Sequence, residues 1–183
     1  MAMRTAVATV AATVILVAWG MLFWGLLAPR LGVFHALPNG AAVTSVLLEG
    51  EAATGTYFMP WPRDTPEAFK RFEEQHKRGP FYRLSYVREG VDPSSPSKLM
   101  VGTLHYVTVA LIAVLLATLA GPPRGRQVAA VVLAGLLGSD FITVGDPVWF
   151  HMPWDYTRGV LGYELVAWIL LGLTAAWLAP RRA

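Results

Sequence analysis

The chain has 183 residues, 55% hydrophobic and 15% charged, with a mean hydropathy of +0.47, which is too apolar for an ordinary soluble domain and too short for a large transporter. Its net charge of +3 does not point to a nucleic-acid partner, because the basic residues are dispersed and five of them lie beside the ends of apolar segments. With no cysteine, disulfides, thiolate metal sites and thiol redox chemistry are excluded.

Four segments are long enough to cross a hydrocarbon core about 30 Å thick at roughly 1.5 Å per residue. They are Thr5 to Ala28, Leu99 to Ala120, Gln127 to Gly145 and Gly159 to Ala179. The first is read as an anchor rather than a cleaved signal. Its apolar run of 24 residues ends in the bulky stretch Phe23, Trp24, Gly25, Leu26, Leu27, whereas a signal core runs to about 7 to 15 residues and ends at small residues.

Arg4 precedes the first segment, Arg124 and Arg126 fill the GPPRGR link between the second and third, and Arg181 and Arg182 follow the fourth. None has an acidic neighbour. The positive-inside rule therefore predicts both termini in the cytoplasm and residues 29–98 outside a cytoplasmic (inner or plasma) membrane.

After the first segment, Pro38 and Asn39 give a stop and a candidate N-cap, and Val43, Val46 and Leu47 follow helical spacing. GTYFMPWP reads as a strand closed by Pro60 and Pro62. The best signalled element outside the membrane follows. Thr65 can cap, Pro66 takes the first helical position, Glu67 suits the dipole, and Gly79 with Pro80 ends the helix. Phe69, Phe72 and His76 form one stripe on it, and i to i+4 ion pairs such as Glu67 with Arg71 cover the rest of its surface. In PFYRLSYVREG, Tyr82, Leu84 and Tyr86 alternate with Arg83 and Ser85, as in a strand with one covered and one wet face. Ser95 or Ser97 is the expected cap of the next membrane helix.

The predicted architecture is a membrane α-helical fold: a four-transmembrane-helix bundle with a small α+β extracytoplasmic domain inserted between helices 1 and 2. Residues 1–28 form helix 1, 29–98 the helix-strand-helix-strand domain, and 99–183 helices 2 to 4 with an outer loop at 146–158. Gly135 with Gly138 and Gly159 with Gly162 are spaced to let backbones approach.

His105 lies six residues inside the outer end of its segment, Asp140 five before the outer end of the third, and Glu164 five inside the fourth. At about 1.5 Å per residue these fall roughly 7 to 9 Å below the boundary and can share one level. With His151 in the loop above them they form a candidate polar site. The bland alternative keeps each near the surface, with Asp140 capping loop amides and Glu164 paired with Arg158. His105, Asp140, His151 and Glu164 are also a conceivable metal set, though no ligand spacing such as HExxH supports it. Trp149, Phe150, Trp154 and Tyr156 read as an interfacial anchor, or as contacts to lipid or a partner.

No P-loop, GxSxG elbow or dinucleotide fingerprint is present, so the reading leans away from an enzyme and leaves that question open. No cofactor is required, and a bis-histidine haem in the bundle lacks its second membrane histidine. The layout resembles the general plan of claudin-type proteins, whose disulfide-forming cysteines this chain lacks. Its length is similar to that of four-helix disulfide-generating membrane proteins, whose chemistry the absence of cysteine excludes. Neither function is carried over. The leading expectation is an accessory or assembly subunit that contacts another membrane protein through its outer domain and aromatic loop. The alternative is an outer-leaflet metal, polar-ligand or proton site at His105, Asp140, Glu164 and His151.

Overall fold

The structure is a computed structural model, described for residues 2–61, 65–178 and 180. Pro62, Arg181 and Arg182, and the last residue of the predicted fourth span, Ala179, lie outside the described residues. Among the described residues four helices are long and apolar enough to cross a membrane: α1 (Ala2–Arg30), α4 (Pro96–Ala120), α5 (Arg124–Phe150) and α6 (Trp154–Leu178). By length and composition the chain is an integral membrane protein. Between α1 and α4 come α2 (Gly40–Glu49), β1 (Gly55–Met59), α3 (Pro66–Arg78) and β2 (Tyr82–Tyr86). The chain divides into two compact units, Met1–His35 with Ser94–Ala183, and Ala36–Pro93.

In the first unit α1 packs on α4 and α6, and α5 packs on α6 and α4, so α1 and α5 stand across the diagonal. The core is built largely from alanine. Ala8 and Ala12 of α1, Ala110, Ala113 and Ala117 of α4, and Ala167 and Ala175 of α6 are buried around Leu16, Val114, Val131 and Leu171. Expulsion of water cannot drive helix association inside lipid, so contact depends on close approach, which small side chains allow. At one end Arg124 stacks over the Trp177 ring, 3.9 Å from its centroid, and buried Gln127 donates to the Ala117 carbonyl at 3.1 Å. The link between α4 and α5 is thereby tied to the last turn of α6.

Two of the long helices are not α-helical throughout. Phe23–Leu27 in α1 and Asp140–Val144 in α5 are π-helical turns. Each is followed by a proline, Pro29 and Pro147, whose fourth residue back, Gly25 or Thr143, lies inside the π turn. A proline cannot donate to that carbonyl and its ring crowds it, so the local ladder must loosen. In α1 the shifted bond is explicit, with Ala28 N–H reaching the Phe23 carbonyl.

The glycine pairs act differently from the expectation of backbone contact. A Cβ added at Gly135 would lie 2.1 Å from the Trp168 ring, and one at Gly159 would lie 2.4 Å from Val33. Both positions therefore accommodate side chains. Gly138 and Gly162 face open space, while Gly172, not singled out from sequence, is where a backbone does approach, at Val128.

The segment expected as a loop at 146–158 is mostly helical. α5 continues to Phe150 and α6 begins at Trp154, leaving a three-residue turn. His151 ends α5 with φ 53°, a left-handed conformation in which histidine is enriched relative to bulkier residues.

In the second unit β1 and β2 pair antiparallel, with Tyr57 opposite Leu84 and Phe58 opposite Arg83. The Thr65 hydroxyl caps α3 by accepting from Ala68 N–H at 3.2 Å. The α3 stripe is continuous, with Phe69 to Phe72 ring centroids 5.7 Å apart and Phe72 to His76 5.5 Å apart. Phe81, ahead of β2, stacks edge-on to His76 at 5.2 Å. Asn39 does hold the N-cap position of α2, in a left-handed conformation, but its side chain makes no capping bond. Ser95 likewise stands at the N-cap of α4 without capping; its hydroxyl lies 2.8 Å from that of Ser97. The alternation expected in β2 is incomplete: Tyr82 is exposed, while Arg83 and Leu84 are both half-covered.

Candidate functional site

The site is built around two consecutive residues of α6, Tyr163 and Glu164. On one side the π turn of α1 presents Phe23 and Trp24, whose rings lie 5.2 and 5.1 Å from Tyr163. Trp19 stacks nearly parallel to Tyr163 at 6.1 Å, and its Nε1–H donates to the Tyr163 carbonyl at 3.0 Å. The Tyr163 hydroxyl meets that of Tyr106 on α4 at 3.1 Å. On the other side the π turn of α5 presents Thr143, whose Oγ1 lies 3.0 and 3.1 Å from the two Glu164 carboxylate oxygens. Each π turn thus re-aims one stretch of helix onto this dipeptide, in keeping with the frequent occurrence of such turns at functional sites.

A cavity of about 170 Å³ opens beside these residues. Its walls come from three helices: Leu16 of α1, His105, Tyr106 and Val109 of α4, and Tyr163, Glu164, Ala167, Trp168 and Leu171 of α6. His105 and Glu164 therefore line the same space. The lining contains no lysine or arginine. Glu164 is half-buried and its carboxylate oxygens face a donor from α5, so the cavity presents a fixed acceptor among aromatic faces. Such a site suits a cationic or hydrogen-bond-donating group.

Of the four expected residues, only His105 and Glu164 line the same cavity, and His105 is itself exposed. Asp140 is exposed and does not line the cavity. It stands on the surface of α5 beside Leu137 and Phe141, which are 73% and 82% exposed. His151 is exposed at the turn that ends α5. Among the described residues no group of three or more His, Asp and Glu could hold a metal ion, so the conceivable metal set is not assembled. The alternative partner for Glu164 also fails. Arg158 pairs with Asp155 instead, one helical turn away on the exposed start of α6.

The helix ends are farther from these residues than the sequence indicated. His105 lies nine residues into α4, Asp140 ten before the end of α5, and Glu164 ten into α6. At about 1.5 Å per residue that is roughly 14 to 15 Å from each helix end.

Among the aromatic residues at the α5–α6 turn, Trp149, Phe150 and Trp154 are exposed, as an anchor requires. Tyr156 is half-buried against Phe34, at 5.8 Å between rings, and serves the packing of the bundle instead. Thr143, Tyr106, Tyr163 and Trp168 were not singled out from sequence. The i, i+3, i+4, i+7 spacing of Glu164, Ala167, Trp168 and Leu171 is a readable helical face, but Thr143 gave no such signal because its aim depends on the π turn.

No protein-family model, curated protein or solved structure matches the chain.

Proposed function

We propose that the bundle binds a small polar or cationic ligand in the cavity between α1, α4 and α6, with Glu164 as the fixed acceptor and His105 at its wall. The observation that carries this reading is that His105 and Glu164, on different helices, line one cavity while Thr143 holds the Glu164 carboxylate from a third. An ionisable residue inside a spanning helix is costly and normally marks a ligand or proton path. The arginines at 4, 124 and 126 favour placing this cavity toward the outer leaflet of the cytoplasmic membrane, with residues 36–93 outside. The test is thermal unfolding of the protein in nanodiscs with tetramethylammonium as probe. Stabilisation by tetramethylammonium that disappears in Glu164→Gln supports the reading. No stabilisation, or the same stabilisation in the variant, overturns it.

A second reading, an accessory or assembly subunit that contacts another membrane protein, is favoured by a separate set of observations. Among the described residues no buried hydrophobic residue lies in the 36–93 unit, where Val46 and Trp61 are 68% and 64% exposed, and a two-stranded sheet offers unpaired edges. On α5, Asp140 projects from an otherwise apolar exposed face, a costly arrangement in lipid that a donor on a neighbouring helix would relieve. Gentle extraction followed by native mass analysis tests it. A stoichiometric heterologous partner lost in Asp140→Leu supports the reading, and a monomer or homo-oligomer alone ends it.

A further inference from the structure

A second cavity, also of about 170 Å³, lies directly beside the first. Val109 and Trp168 line both. The remaining walls are wholly apolar: Ile112, Ala113 and Leu116 of α4, and Val131, Ala134 and Gly135 of α5. Space of about 150 Å³ lined by such residues holds a benzene-sized apolar group without water. The two cavities therefore form a polar chamber and an apolar chamber on either side of a shared pair of side chains.

Their order along the bundle is fixed. His105 and Glu164 lie toward the helix ends that meet at His151, whereas Leu116 and Val131 lie toward the Arg124 end. From His105 to Leu116 the axial distance is roughly 16 Å at 1.5 Å per residue. The apolar chamber is open at its side, since Ile112 is 52% exposed. Trp168, the wall between the chambers, is held in place twice. Its ring occupies the space that a Cβ at Gly135 would fill, and its Nε1–H donates to Ser139 Oγ at 3.2 Å.

We infer that the ligand is a single-chain amphiphile with an ammonium head, the head beside Glu164 and the chain running past Val109 and Trp168 into the space between α4 and α5. This rests on the proposed ligand site and names its substrate class. A cationic head is selected because the polar chamber holds a carboxylate and aromatic faces and no lysine or arginine, so an anionic head would meet the carboxylate with only His105 and the Tyr106 and Tyr163 hydroxyls to offset the repulsion. A single chain is selected by volume, and entry from the bilayer by the lateral opening at Ile112.

The experiment uses dodecylamine carrying a diazirine at the chain end, incorporated with the full-length protein in nanodiscs, with the matching dodecanoate as control. Photolabelling by the amine is expected on peptides containing Ile112 to Leu116 and Val131 to Ala134, and is expected to be displaced by excess dodecyltrimethylammonium. In Glu164→Gln it should fall roughly tenfold, the loss of one charge-assisted contact. Ala134→Phe, which fills the apolar chamber from an exposed position, should abolish the label while leaving stabilisation by tetramethylammonium intact. Equal labelling by amine and carboxylate, or labelling spread over all exposed faces, overturns the inference. If tetramethylammonium still stabilises the protein in that case, the ligand site stands and only its occupant is wrong; if it does not, the site itself is lost.

Discussion

The Thr143 hydroxyl lies within 3.1 Å of both carboxylate oxygens of Glu164. The two residues are 21 positions apart and on different helices, so this bond joins the irregular turn of α5 to the polar wall of the cavity. Replacing Thr143 with valine keeps the shape and removes the donor. A hydrogen bond to a charged group contributes about 1.5 to 3 kcal/mol, and Thr143→Val is expected to lower thermal stability by that order. Thr143→Ser should retain most of it. Equal unfolding temperatures for all three proteins in nanodiscs would show that the bond is dispensable.

Gly135 and Gly138 provide a paired test of helix packing. The first faces the Trp168 ring and the second faces open space. Gly135→Ala should therefore cost about 1 to 3 kcal/mol through overpacking. Gly138→Ala should be neutral within about 0.5 kcal/mol. Tryptophan emission should shift in the first variant and not in the second, because only the first displaces an indole.

In the 36–93 unit, Thr54 Oγ1 donates to the Glu89 carboxylate at 2.7 Å and accepts from Arg88 N–H at 3.0 Å. The Thr54 hydroxyl, followed by a backbone bond and the nearby Arg88 charge, holds the Glu89 carboxyl below its usual value of 4.5, against a small opposing effect of desolvation. A depressed folded pKa adds stability at pH values above the unfolded pKa, and that stability is lost as pH falls through the folded pKa. An NMR titration should find the Glu89 midpoint below 4.5 in the native protein and higher in Thr54→Val. Identical midpoints in the two proteins would contradict this.

The arginine distribution predicts membrane orientation. A reporter active only outside the cytoplasm should be active when inserted near Gly90 and inactive when fused after Arg182. The reverse pattern at both sites would place the cavity toward the inner leaflet and change the leaflet in which the head of an amphiphile lies.

Most of the regular elements were legible in the sequence because each carries its own local chemistry. α3 is bounded by Thr65 and Gly79 and striped by Phe69, Phe72 and His76, and all of these behave as read. The four long helices follow from apolar length alone. The site was only half legible. His105 and Glu164 stood out as charge-bearing groups in apolar helices, but so did Asp140, and depth along a helix says nothing about the direction in which a side chain points. Asp146 and Pro147 fall in the segment 146–158 that was expected as a loop. The structure keeps them helical, because a proline in the first turn after a π-helical segment falls where the α-helical bond is already lost.

A π turn is one residue more than an α-helix needs to cover the same rise, and at 3.6 residues per turn one extra residue rotates everything beyond it by about 100°. The turn at Asp140–Val144 therefore sets the angular phase of α5 from Thr143 to Phe150. Regularising this turn to continuous α-helix, with no residue lost, would leave the composition and every polar residue in place. It would nevertheless swing Thr143 away from Glu164 and carry Trp149 and Phe150 to another azimuth around the bundle. The chain's chemistry thus depends on where the helix takes up its extra residue as much as on residue identity, and a homologue of the same length with an unbroken α-helix here would aim the same polar residues elsewhere.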